Sequence, residues 1–154
     1  MGFDLIGVSP LNHKGECFRN NIWHWRPLWD YVGKELGILT DEEYKEGLWN
    51  NGYLISKEKA KAIGQKLSEL IDSGRTEKYI EARRQFIEAL ADEVCEFCKG
   101  TGSRLPDHPL GKGPCLSCNG TGKERPWISN YPMDLENMKM FAEFCSFSGG
   151  FEIW

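Results

Sequence analysis

The chain has 154 residues, of which 40% are hydrophobic, 27% charged and 12% aromatic, a composition of one globular domain's size that excludes disorder, collagen and coiled coil as descriptions of the whole. Its 19 basic and 23 acidic residues leave a formal charge of −4, which argues against a broad electrostatic grip on DNA. No apolar run of about 18 residues occurs, and the first ten residues lack the basic and apolar stretches of a secretory signal. No membrane partner is therefore expected, and a cytoplasmic location is.

Residues 3–8, Phe-Asp-Leu-Ile-Gly-Val, read as a short strand and residues 149–154, Gly-Gly-Phe-Glu-Ile-Trp, as another, so the two ends are expected to pair in one small sheet. Residues 18–29 hold three tryptophans, two arginines, two asparagines and a histidine. Alternation there would bury Ile22 on one side and leave Trp23 and Trp25 together on the other, with Arg19 and Arg26 laid over the rings. Pro27 suits a first helical turn, after which Leu28, Tyr31, Val32 and Leu36 recur at helical spacing until Gly37. Thr40 and Glu43 have the spacing of a capping box, which predicts a short helix over Asp41–Leu48 before the turn at Asn50-Asn51-Gly52.

From Ser56 onward Ala60, Ile63, Leu67, Leu70 and Ile71 form one apolar stripe, and Gly74 lies where a helix ends. A second long helix follows, with Tyr79, Ile80, Phe86, Ile87, Leu90 and Val94 as its buried face and Arg83 and Arg84 on its flank. The pair is expected to form an antiparallel hairpin whose second helix runs into Cys95. A final helix over Asp134–Phe147 turns Leu135, Met138, Phe141, Phe144 and Cys145 inward. The expected fold is α+β and mainly helical: a long antiparallel helix pair, a small sheet from the chain ends, and one projecting Cys₄ zinc loop. Residues 1–154 are expected to form a single domain, with loop 95–122 inserted between helices.

Four of the six cysteines fall in two C-x-x-C pairs, Cys95/Cys98 and Cys115/Cys118, separated by 16 residues, which is metal-ligand spacing. Each pair lies in a near-duplicate, Cys-Glu-Phe-Cys-Lys-Gly-Thr-Gly and Cys-Leu-Ser-Cys-Asn-Gly-Thr-Gly, so two equivalent half-sites are implied. A C-x-x-C turn folds two thiolates onto one ion, and Gly100, Gly102, Gly120 and Gly122 can take positive φ and admit amides close to sulfur. One structural Zn²⁺ is the expected cofactor, with a redox dithiol or paired disulfides as the alternative. Four thiolates against one divalent ion would move the formal charge from −4 to −6, and Lys99, Arg104, Lys112, Lys123 and Arg125 are placed to soften it. A closed Cys₄ shell argues against catalysis, and His108 in its Pro-rich turn is expected to be exposed rather than a ligand. His13, His24 and Cys17 lack the spacing of a second site, and Cys17 and Cys145 are expected to be buried or idle thiols.

The repeat C-x-x-C-x-G-x-G resembles the cysteine-rich zinc region of DnaJ-type co-chaperones. The match covers residues 95–122, with two repeats where that family has four, enough for one metal site. No His-Pro-Asp occurs, so the co-chaperone activity of a J domain is not implied. Modules of the anti-TRAP type, which resemble half of that region, use it in an inhibitory protein contact, so the resemblance implies metal and recognition rather than a reaction. Across most of its length, including residues 15–29 and 141–154, the chain also resembles a set of small proteins of bacteria and their phages. That likeness implies a bacterial or host cytoplasmic setting and one integrated fold, without an activity.

The functional expectation is a non-catalytic, zinc-stabilised interaction protein, a phage or mobile-element factor that binds and modulates a host protein. No catalytic residue is assigned; His24 beside Asp30 or Glu16 is the least poor acid–base candidate. The candidate contact surface is Arg19, Asn20, Asn21, Trp23, His24, Trp25 and Arg26, because Trp supplies large contact area while Arg and Asn supply directional hydrogen bonds. The alternative reading is that the same segment stacks a nucleotide or nucleic-acid base. A third is that these residues simply finish the edge of a limited core.

Overall fold

Phe3 and Leu5 alternate with Asp4 and Ile6, and the computed structural model, which describes residues 2–154, places them on opposite faces of strand β1 (Gly2–Gly7). β1 lies between β2 (Cys17–Asn21) and β6 (Phe151–Ile153), and β6 continues to β3 (Tyr53–Ile55), in an antiparallel sheet of order β2-β1-β6-β3. Leu5 stands opposite both Phe18 and Ile153, so the chain ends pair as expected. The inner face buries Phe3, Leu5, Phe18, Ile55, Phe151 and Ile153. β3 is not legible from alternation because it has three residues.

Among the described residues five α-helices accompany the sheet, giving an α+β fold: α1 (Ile22–Glu35), α2 (Asp41–Glu46), α3 (Lys57–Asp72), α4 (Arg75–Ala89) and α5 (Leu135–Phe147). The chain folds as two compact units, Met1–Arg84 with Tyr131–Trp154, and Gln85–Asn130. Among the described residues no helix is long and apolar enough to cross a membrane.

In the first unit, α1 starts five residues before Pro27, a correction to the expected boundary. The Asn21 side chain caps it by accepting from the His24 amide at 3.0 Å, which supplies a stronger start signal than proline does. Helical rotation of about 100° per residue then separates Trp23 from Trp25, where alternation would have put them on one face. Trp25 is fully buried, whereas Trp23 is 38% exposed. Trp25 stacks on Trp29 one turn later, with ring centroids 5.0 Å apart. Their indole N–H groups donate to the carbonyls of Gly47 at 2.8 Å and Tyr44 at 2.9 Å. Each ring thus buries its apolar body and satisfies its one donor, which fastens α2 to α1.

The capping box of α2 forms as its spacing implies: Glu43 N donates to Thr40 Oγ1 at 3.2 Å and Thr40 N donates to the Glu43 carboxylate at 2.7 Å. Lys59 in the first turn of α3 also donates to Glu43. Burial raises the Glu43 carboxyl, but Lys59 and Thr40 outweigh it and hold it below its ordinary range.

Ser56 caps α3, and Ala60, Ile63, Leu67 and Leu70 turn inward as the stripe implies. The long helix that packs along α3 is α5, not α4, a second correction. The approach is close because position 64 is glycine: a Cβ there would lie 2.4 Å from Ser146 Oγ and 2.9 Å from the Ala142 carbonyl oxygen. Periodicity identifies a buried face but not the element that covers it. The first turns of α4 pack instead on α1, where Tyr31 and Tyr79 meet edge to face at 4.8 Å and the Tyr31 and Thr76 hydroxyls are 3.0 Å apart. Met138, Phe141, Ala142, Phe144 and Cys145 of α5 are buried, and Phe18 of the sheet stacks on Phe144 at 5.9 Å. Burial of each such large apolar side chain contributes about 1.5–3 kcal/mol.

In the second unit, α4 ends at Ala89 and the chain enters a two-stranded ribbon of β4 (Glu93–Val94) and β5 (Lys123–Glu124). Phe86 and Val94 are exposed, so the continuous buried face expected over 79–94 does not exist.

Candidate metal centre

The two knuckles are built alike, and their backbone bonds show why each residue of the repeat is needed. The amide of Cys95 donates to the Gly122 carbonyl at 3.0 Å, and that of Cys115 donates to the Gly102 carbonyl at 2.8 Å. Each knuckle thereby closes on the far end of the other. Gly102 N points at Cys98 Sγ from 3.3 Å, and Gly122 N points at Cys118 Sγ from 3.2 Å. The two knuckles can approach this closely because these glycines have no side chain. A Cβ on Gly102 would meet the Gly120 carbonyl oxygen at 2.4 Å, one on Gly122 would meet the Gly100 carbonyl oxygen at 2.4 Å, and the φ angles are +73° and +74°.

The threonines of the repeat, which have no metal-binding chemistry of their own, complete the turns. The Thr101 hydroxyl donates to the Cys98 carbonyl, and the Thr121 hydroxyl to the Cys118 carbonyl, each at 2.8 Å. Recurrence of Gly-Thr-Gly after both pairs was the available signal. Arg104 and Arg125, expected as diffuse screening charges, instead bind specific carbonyls. Arg104 donates to those of Leu110 and Pro114 across the spacer, while Arg125 donates to those of Ile87 and Leu90 and pairs with Asp92. The latter contacts satisfy the end of α4. His108 is half-buried and its Nδ1 accepts from the Leu110 amide at 3.2 Å, so it serves its own turn.

The four sulfurs of Cys95, Cys98, Cys115 and Cys118 are buried and lie within 4.8 Å of one another. A tetrahedron with metal–sulfur bonds of about 2.3 Å has sulfur–sulfur edges of about 3.8 Å. The Cys95–Cys115 and Cys98–Cys118 separations are 3.9 and 3.8 Å. The donor set therefore fits one tetrahedral thiophilic cation. Burial pushes the Cys95 thiol up to about 12. At Cys118 and Cys98 the same desolvation is outweighed by amides, chiefly those of Gly122 and Gly102, and both thiols fall below their ordinary range. Four sulfurs this close cannot all ionise together unless a cation shares their charge. Among the described residues no other group of three or more His, Cys, Asp or Glu side chains forms such a cluster. His13, Cys17 and His24 do not come together as one.

Comparison with protein-family models, with curated proteins and with solved structures finds no match to this chain. The site is thus read from its own geometry.

The residues of segment 18–29 are not brought onto one surface. Arg19 is on the exposed face of β2, paired with Asp4. Asn20 points the opposite way, is buried, and donates to Asn137 Oδ1 at 3.3 Å. Asn21 caps α1 and also contacts His24 Nδ1. Trp23 lies against Tyr131 with ring centroids 5.2 Å apart, Trp25 is in the core, and Arg26 is half-buried. Cys17 is exposed and Cys145 buried.

Proposed function

We propose that the four-cysteine cluster holds one structural Zn²⁺ and that the protein is a non-catalytic interaction protein whose contact surface surrounds that centre. When bound, zinc neutralises part of the thiolate charge and cross-links two knuckles that have little apolar core of their own. The chain's residues do the rest: the Gly102 and Gly122 amides orient sulfur, and the threonine hydroxyls lock the turns. Four sulfurs would complete a tetrahedral shell, leaving no position for a reacting water. The likeness to half of a DnaJ-type zinc region agrees with this reading.

The observation that carries the proposal is the surface of the same unit. Phe97 is 69% exposed and Trp127 64%, and Val94, Leu110 and Leu116 are also largely exposed. Large apolar side chains held on and beside a loop that a metal would cross-link are what an interface anchor requires. The nucleotide alternative draws no comparable support, since Asn21 and Trp25 are committed to capping and core. The test is elemental analysis of the reduced, full-length protein together with capture of binding partners. One zinc per chain is expected, with partner capture lost on chelation and on Phe97→Ser but kept on Trp23→Ala. A metal-free protein of unchanged fold, or capture that depends on Trp23 instead, would defeat it.

A further inference from the structure

The ribbon beside the metal centre breaks a rule of strand pairing. Glu93 of β4 stands directly opposite Glu124 of β5, and like charges in that position repel. Both line an open groove of about 990 Å³, together with Glu96, Val94, Phe97 and Trp127. Two cations, Lys123 and Arg125, also border it. Arg125 is already bound to the carbonyls of Ile87 and Leu90 and to Asp92. The groove therefore holds three carboxylates, of which Glu124 accepts from the Ser117 hydroxyl, and among the described residues that border it Lys123 is the one cation not already bound to a carbonyl or carboxylate; a zinc–tetrathiolate centre beside it would add further negative charge. Local conflict of this kind, set among exposed aromatic side chains, is expected where a partner supplies the missing charge.

We infer that this groove binds an extended segment of another protein in which arginine or lysine alternates with large apolar residues. A guanidinium between Glu93 and Glu124 would turn their repulsion into two charge-assisted hydrogen bonds, while the neighbouring apolar side chain covers Phe97 or Trp127. This rests on the reading of the metal centre as the support of a protein-binding surface. A second copy of this chain fits poorly, because a two-fold contact would oppose the same carboxylates and the whole chain carries −4.

The test uses full-length protein of measured zinc content and three fluorescein-labelled peptides, read by anisotropy at about 0.15 M salt. One alternates Arg and Leu, one has Glu for Arg, and one has Ser for Leu. The Arg/Leu peptide is expected to bind saturably and at least about 10-fold more tightly than either of the others. Glu93→Lys should weaken it by about 10-fold or more while leaving zinc content unchanged and the ribbon no less stable, since the cross-strand repulsion is removed. Glu96→Lys, at an exposed position, should weaken it in the same direction. Equal binding of the Ser-for-Leu peptide would reduce the effect to charge attraction and overturn the inference. So would equal binding of the Glu-for-Arg peptide, displacement of the Arg/Leu peptide by millimolar Ca²⁺ at constant ionic strength, or concentration-dependent self-association that blocks the groove. Peptide binding that survives zinc removal intact would defeat the underlying reading of the metal centre. Partner capture that needs Phe97 but ignores excess Arg/Leu peptide would defeat only the assignment of partner class.

Discussion

Replacing Gly102 with alanine should cripple the metal centre without touching a ligand. The position has φ +73°, and its new Cβ would lie 2.4 Å from the Gly120 carbonyl oxygen and 3.1 Å from the carbonyl carbon. An L-residue in the left-handed region costs about 1–2 kcal/mol, and forcing packed backbone apart costs about 1–3 kcal/mol more. The sum, about 2–5 kcal/mol, falls on the closed knuckles, because displacement of Gly120 also strains the second half-site. Where metal binding and local folding are one event, that strain is read as lost affinity, about 30-fold to a few thousandfold. Gly111→Ala provides the control, since φ there is +66° but nothing lies within 4 Å of the added Cβ. It should cost only the conformational part, in the spacer rather than at the sulfurs. Competition with a chromophoric zinc chelator measures both variants. Equal affinities for Gly102→Ala and Gly111→Ala would refute the reasoning, for they would show that the close approach of the two knuckles does not limit metal binding.

Gly64→Ala sets two opposed effects against each other: helix propensity favours alanine by about 1 kcal/mol, while the clash with Ser146 and the Ala142 carbonyl costs about 1–3 kcal/mol. Net destabilisation is expected as a lower urea midpoint, partly recovered in the Gly64→Ala/Ser146→Ala double variant; a raised midpoint would show that α3 and α5 are not this close. Glu43→Gln should cost on the order of 1–2 kcal/mol at neutral pH by weakening both the capping box and the contact with Lys59. Because the folded-state carboxyl is held low, that stability is present above the unfolded pKa and lost as pH falls through the folded one. The gap between wild type and variant, followed by denaturation at a series of pH values, should therefore close below about pH 4; a gap that widens in acid would contradict it. Thiol titration should proceed in three stages: Cys17 at once, the four clustered cysteines only after chelation, and the buried Cys145 only after unfolding. Immediate reaction of all six would contradict the burial of the cluster.

Local chemistry written in short stretches of chain was enough for much of this molecule. The Thr40–Glu43 capping box, the Ser56 start, the inward face of α5 and the two C-x-x-C turns each depend on residues a few positions apart, and all four are found where their spacing puts them. The four clustered cysteines were legible for the same reason, since a repeated knuckle encodes its own turn. What the sequence could not decide was which surfaces meet. The apolar stripe of α3 is plain, yet its cover proved to be α5, about eighty positions further along the chain, because Gly64 admits a close approach that no periodicity encodes. Phe86 and Val94 look as buried as Tyr79 on a helical wheel, but they lie beyond the turns that pack on Tyr31 and remain exposed. Segment 18–29 looked like one surface because its residues are adjacent. A strand followed by a helix sends adjacent side chains in different directions, so only three-dimensional packing assigns Asn20 and Trp25 to the interior and leaves Arg19 outside.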